Sequence, residues 1–309
     1  MNNFITLRDI SLTNLRKILS DAKKRKKKRN ILNTLDLDKD KPLKGKLLVQ
    51  MYEKSSLRTR LSFYLAIRQL GGSAITLRPE EIHLNKNGES ISDTAMILST
   101  YADLFMLRTD SDNKINEFAK YSKIPLINGL TPKSHPTQIL SDIFTIEEIK
   151  KRNISNLNIS WIGDSNNVLN SLIEASVKFS FNLTIGCPKV YEPSKKIINW
   201  ANKKRGKIII YNDPKKAVKN ADVILTDKVI SMNDKGNIIK KKNFFKNFRV
   251  DKKLISGAKK NVIILHCLPR GNEISDIVFK SKSSYVWQQA SNRIHVQKSI
   301  LLYCLNKLR

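Results

Sequence analysis

Short apolar runs alternate with amphipathic stretches along nearly the whole chain. Leu47-Leu48-Val49-Gln50-Met51-Tyr52, Ser73-Ala74-Ile75-Thr76-Leu77 and Leu104-Phe105-Met106-Leu107-Arg108 each read as a strand, and Ile124-Pro125-Leu126-Ile127-Asn128 follows. Between them, 61–70 reads as a helix that stops at Gly71-Gly72, and 91–101 as another. Beyond residue 150 the habit recurs, with apolar runs at 159–164, 183–186, 207–211, 223–226 and 262–265 and a helix over 168–179. Near the start, Leu12, Leu15, Ile18, Leu19 and Ala22 recur at helical spacing. Continuous apolar strands separated by helices indicate parallel sheets covered on both faces. The predicted class is therefore α/β, two doubly wound parallel-sheet lobes. The helix 139–150, after His135-Pro136, is the natural hinge between them.

In such sheets ligands bind beyond the carboxyl ends of the strands. Polar clusters fall at those ends: Tyr52-Glu53-Lys54-Ser55-Ser56, Arg108, Gly163-Asp164-Ser165-Asn166-Asn167, Thr226-Asp227 and His266-Cys267-Leu268-Pro269. This points to an active site in a cleft between the two lobes.

Composition changes the picture in one respect. With 57 Lys+Arg against 27 Asp+Glu in 309 residues, the formal charge is +30, which raises the possibility of a basic nucleic-acid-binding α/β protein. The densest run, Lys23-Lys24-Arg25-Lys26-Lys27-Lys28-Arg29, continues the first helical stripe, and further lysines (215–216, 240–242, 259–260) are spread over turns and polar faces. That distribution reads as a solvated surface rather than a nucleic-acid site. Three dispersed cysteines fit a reducing, cytoplasmic setting, and no G-x-G-x-x-G follows a strand. The first residues lack a secretory pattern, and no apolar run approaches the ~18 residues a membrane span needs. No metal, organic cofactor, nucleic acid or membrane partner is expected.

Ser56-Leu57-Arg58-Thr59-Arg60 is the strongest local signal. It lies where a strand turns into a helix, so hydroxyls, guanidiniums and free backbone N–H groups converge as they would on a phosphate. Read alone it is also compatible with an N-cap serine and surface arginines. The fragment resembles the Ser-x-Arg-Thr-Arg motif of the aspartate/ornithine carbamoyltransferase family, and His135-Pro136-Thr137-Gln138 resembles that family's second motif. Gly163–Asn167, Asp227–Met232 and His266–Pro269 resemble its ornithine branch in particular. The likeness runs in order from about Leu7 to about Leu302.

The resemblance implies carbamoyl transfer from carbamoyl phosphate to the δ-amine of L-ornithine. It assigns residues 1–148 to carbamoyl phosphate, with a C-terminal helix at 290–309 packed back on them, and 149–289 to ornithine. Ser56, Leu57, Arg58, Thr59, Arg108, His135, Gln138, Cys267, Leu268 and Arg293 would contact carbamoyl phosphate, with His83 entering from a neighbouring subunit. Asn167, Asp227, Ser231 and Met232 would hold the α-amino acid end. Thr59, Arg108, His135 and Cys267 would act in catalysis. The shared loop implies a homotrimer, and the commoner role in the family is arginine biosynthesis. Leu57 stands where the motif often has Thr, and the loop around His83 is about one residue longer than usual. A sister enzyme acting on putrescine or N-acetylornithine is the nearest alternative, although putrescine would not need the Asn167/Ser231 carboxylate cradle.

Overall fold

The computed structural model describes residues 1–78, 81, 88–230 and 238–308. The chain divides into two compact units, Met1–Ser141 with Ser291–Arg309, and Asp142–Ala290.

In the first unit α1 (Leu12–Lys28) begins at Ser11, whose hydroxyl accepts the Asn14 N–H at 3.2 Å, and it buries Leu15, Ile18, Leu19 and Ala22. Then follow β1 (Leu47–Tyr52), α2 (Leu57–Gln69), β2 (Ser73–Leu77), α3 (Ile91–Tyr101), β3 (Leu104–Arg108), α4 (Asp112–Tyr121), β4 (Leu126–Leu130) and α5 (Pro136–Lys150). The four strands form one parallel sheet in the order β2-β1-β3-β4. Alternation sends Val49 and Met51 of β1 and Phe105 and Leu107 of β3 to one face, against Ala95, Leu98, Ile115 and Phe118. Helix α2 starts four residues before the apolar stripe at Leu61, because its first turn is the polar Arg58-Thr59-Arg60 segment, to which hydrophobic periodicity is blind.

The division between the units falls inside α5, between Ser141 and Asp142. The second unit holds β5 (Asn158–Ile162), α6 (Asn167–Phe179), β6 (Asn182–Gly186), α7 (Lys195–Lys203), β7 (Ile208–Tyr211), α8 (Pro214–Val218), β8 (Val223–Thr226), α9 (Ile238–Phe245), α10 (Lys252–Ile255), β9 (Ile263–His266) and α11 (Asp276–Phe279). Its five strands are also all parallel, in the order β7-β6-β5-β8-β9. The last helix, α12 (Val286–Cys304), contains the second division, between Ala290 and Ser291.

The basic run of α1 is not wholly solvated. Arg25 and Arg29 reach Asp38 at 3.1 and 2.9 Å, and the fully buried Lys298 of α12 reaches the same carboxylate at 2.8 Å. Burial alone would raise the Asp38 pKa, but hydrogen bonds from these cations hold it below the usual range.

Both sheets reverse their winding direction once, between β1 and β3 and between β5 and β8. Loops leaving adjacent strands there turn to opposite faces and open a crevice at the carboxyl ends. The motif residues occupy those places: Ser56–Arg60 after β1, Arg108 at the end of β3, Asn166-Asn167 after β5 and Asp227 after β8.

Candidate functional site

The first cluster belongs wholly to the first unit. Ser56 is the N-cap residue of α2 in extended conformation, but its hydroxyl caps no backbone N–H. The first N–H groups of a helix have no intrahelical partner and carry the positive end of its dipole. Leu57 is 72% exposed, so this position offers its backbone N–H and no side-chain hydrogen bond. Arg58 is half-buried and Thr59 buried.

Arg293 draws the distant motifs together. Its guanidinium donates to Thr59 Oγ1 at 2.9 Å and to Gln138 Oε1 at 2.5 Å, across 234 and 155 residues of sequence. The Gln138 amide oxygen, expected to face a carbamoyl NH2 group, therefore already accepts from Arg293. Arg108, opposite Tyr52 in the β1–β3 register, has its Nε buried with no hydrogen-bond partner among the described residues. Burial, reinforced by repulsion from Arg58, lowers its pKa from 12.5, yet leaves it a cation in the physiological range.

His135 precedes α5 and is buried. Desolvation, with Arg293, Arg108 and Arg58 acting in the same sense, holds its imidazole well below 6.5. It is therefore a neutral hydrogen-bonding group at pH 7. Sequence periodicity gave no sign of one further polar pair here. Tyr52 donates to Gln50 Oε1 at 2.6 Å, both facing the same side of β1, and burial raises the phenol's pKa despite nearby Arg108, Arg293 and Arg60.

The second cluster belongs wholly to the second unit. Gly163 has φ +146°, a conformation that side-chain-bearing residues rarely adopt, and it turns the chain off β5. Asn166 caps α6, accepting from Val168 N–H at 3.0 Å and Leu169 N–H at 3.1 Å, and its amide donates to Asp227 Oδ2 at 2.8 Å. Asn167 opens α6. Asp227 is pushed above the usual aspartate range by burial, against the opposing effects of His266, the Lys228 N–H and Asn166.

The loop after β9 is fixed by an arrangement that residue spacing alone does not reveal. Leu268 has φ +54°, a strained conformation for a side chain with a Cβ. Its N–H donates to His266 Nδ1 at 2.8 Å, which places the imidazole proton on Nε2, facing Glu273 Oε1 at 2.8 Å. Burial alone would raise the Glu273 pKa, but the bonds from His266 and the Gly271 N–H hold it low. The buried Cys267 thus lies in a backbone clamped from both sides by its neighbours.

The structure accordingly brings Thr59, Gln138 and Arg293 into direct contact, with Arg58, Arg108 and His135 near enough to act on one another electrostatically. Asp227 is joined to Asn166 and acted on by His266 and Glu273. His83, Ser231 and Met232 lie outside the described residues. Among the described residues no group of three His, Cys, Asp or Glu side chains could hold a metal ion.

Comparison with known proteins bears on the same two units. The family model for the aspartate/ornithine carbamoyltransferase carbamoyl-P binding domain matches residues 2–148, and that for the Asp/Orn binding domain matches 155–304. The ornithine carbamoyltransferase of Rhizorhabdus wittichii is 41% identical over 308 residues, 99% of each chain. That of Agrobacterium fabrum is 40% identical over 305 residues, 98% of this chain and 97% of the other. Among solved structures, ornithine carbamoyltransferase from Pyrococcus furiosus matches at TM-score 0.92 and 37% identity, covering 100% of this chain and 98% of that one. The anabolic ornithine carbamoyltransferase from Campylobacter jejuni matches at TM-score 0.89 and 36% identity, covering 99% and 100%.

Proposed function

The chain belongs to the aspartate/ornithine carbamoyltransferase family, and from that premise we propose that it transfers the carbamoyl group of carbamoyl phosphate to the δ-amine of L-ornithine, giving L-citrulline and phosphate. The observation that carries the reading is the meeting of Thr59, Gln138 and Arg293 at the winding reversal of the first sheet. Three residues from three separate motifs converge where a doubly charged phosphate and a polarised carbonyl need donors.

In this reading Ser56, Arg58, Thr59, Arg108 and the N–H groups at the start of α2, that of Leu57 among them, hold the phosphate. Thr59, Arg108 and neutral His135 direct donors at the carbonyl oxygen, where negative charge grows during attack. Gln138, with Arg293 fixing its amide, and the backbone carbonyls of Cys267 and Leu268 accept from the carbamoyl NH2. Asp227 takes the α-ammonium of ornithine, while Asn167, Ser231 and the Met232 backbone take its carboxylate.

The δ-amine attacks in its neutral form, and Cys267 in its clamped, desolvated loop favours that form. The new C–N bond forms as the C–O bond to phosphate breaks, and the departing phosphate accepts the amine proton. Acceleration comes from positioning and charge stabilisation, and no cofactor is needed.

We further place the enzyme in the cytoplasm, in arginine biosynthesis, as a homotrimer. Three cysteines without disulfides fit a reducing compartment, and one structural relative is described as anabolic. The trimer is supported by exposed apolar side chains in the first unit: Leu57, Leu61 and Tyr64 along α2, Ile75 on the edge strand β2, and Met96, Ile97 and Tyr101 on α3. Sedimentation of the purified protein checks the assembly. A citrulline assay with a panel of ornithine, putrescine, N-acetylornithine and aspartate checks the reaction. Turnover confined to ornithine is expected, and none with both substrates at millimolar level would overturn the proposal.

A further inference from the structure

A lysine from an apparently solvated run proves to be buried. Lys241, the middle residue of Lys240-Lys241-Lys242, is 8% exposed and places Nζ 2.6 Å from Asp164 Oδ2. It lies one turn before the buried Phe245 on α9, so both point inward from the same face. Tyr191 completes the pocket: Lys241 Nζ lies 5.5 Å from its ring centre, and the rings of Phe244 and Phe245 lie 5.8 and 5.0 Å away. The Tyr191 carbonyl in turn accepts from Ser165 Oγ at 2.5 Å.

Asp164 is the residue on which the second cluster is built. Its carbonyl accepts from Trp161 Nε1 and from the Asn166 N–H, both at 3.1 Å. Asn166 then caps α6, whose first residue is Asn167, and reaches Asp227. A cation that fixes the Asp164 carboxylate therefore fixes, through one turn of backbone, the relative placement of Asn167 and Asp227.

A buried ion pair is a poor way to gain stability, because desolvation offsets most of the attraction and an apolar pair of similar volume does as well. It is an effective way to hold one geometry. We propose that Lys241 and Asp164 are positioning residues for the amino-acid substrate, setting the spacing between the group that takes its ammonium and the group that takes its carboxylate. This rests on the reading of Asp227 and Asn167 given above.

The test is Lys241→Met, which keeps most of the aliphatic stem and removes the charge, with Lys241→Arg as the conservative variant. Initial rates are measured against both substrates. In Lys241→Met the KM for ornithine is expected to rise about tenfold, equivalent to about 1.4 kcal/mol, with the KM for carbamoyl phosphate unchanged and kcat lowered less than the ornithine KM is raised. Lys241→Arg should restore most of the ornithine affinity. A role in stability alone would lower the melting temperature and leave both KM values of the folded enzyme in place. An ornithine KM within about twofold of wild type, or both KM values rising together, overturns the proposal. If Lys241→Met does not fold, Asp164→Asn removes the other charge at nearly constant shape and carries the same readout. A wild type that does not carbamoylate ornithine overturns the functional reading and this role with it. An active wild type with an unaffected variant overturns the role alone.

Discussion

The two clusters solve opposite electrostatic problems. The first collects Arg58, Arg108 and Arg293 close enough to depress His135, with Arg58 acting also on Arg108, and among the described residues the buried Arg108 Nε has no hydrogen-bond partner. The second is built around carboxylates, with Asp227 raised by burial and Glu273 held low by His266 and a backbone N–H. Like charges held together are costly until a ligand of opposite sign arrives, so each cluster is matched to a ligand by the charge it lacks. In the proposed reaction the first would receive a dianion and the second a cation. The same α/β architecture serves both because winding reversal supplies a crevice whatever the side chains around it.

This contrast breaks most severely in the first cluster. Arg108→Leu should lower kcat by about 10²–10³-fold, the scale of losing one oxyanion-directed donor, and stopped-time citrulline assays at saturating ornithine would measure it. In the second cluster Asp227→Asn should raise the ornithine KM by on the order of 10²-fold, the scale of truncating one partner of a desolvated charge pair. Carbamoyl phosphate binding by calorimetry should not change.

Acidification sharpens the comparison. Asp227 must be ionised to hold an ammonium, and burial raises its pKa, so affinity for the amino-acid end falls as pH drops through that raised value. Titrating norvaline, which carries that end without a δ-amine, against the carbamoyl-phosphate-bound enzyme at several pH values should show the loss. Asp227→Asn should flatten the profile.

A smaller effect concerns stability. His295 on α12 is held at about 4 against an ordinary 6.5 by burial and by Lys298, Lys26 and Arg29. Its folded pKa is depressed, so the unfolded chain takes up a proton first as pH falls from 6.5 toward 4. Stability should fall across that interval by up to about 3 kcal/mol from this group. Denaturant unfolding of wild type and His295→Gln at pH 7 and pH 4.5 would show a shallower loss in the variant.

Much of the fold was legible because strands buried on both faces announce themselves as unbroken apolar runs. Leu47–Tyr52 and Leu104–Arg108 were readable to the residue on that ground, and so was the edge strand Ser73–Leu77, although it is only partly buried. The start of α2 was not, since the polar Arg58-Thr59-Arg60 masks the helical period. Within the candidate site, ordered motifs marked most positions. What escaped was pairing. Nothing in the spelling Lys240-Lys241-Lys242 distinguishes the buried lysine from its exposed neighbours, and nothing in Asp38 announces that three cations from two helices converge on it. The +30 charge belongs to the same lesson, because it is a sum over the whole chain and says nothing of which charges are spent inside.

The first unit also carries a consequence for how the molecule is made. Its sheet is finished by residue 130, yet α12 supplies Arg293 to Thr59 and Gln138, Lys298 to Asp38, and the Cys304 carbonyl to the Asn2 N–H. During synthesis the whole of 142–290 emerges from the ribosome before those partners do. The second unit, contiguous in sequence, can close on its own schedule. The first must wait for Arg293 and Lys298 until α12 emerges, so that a unit begun before residue 142 is completed only after residue 290.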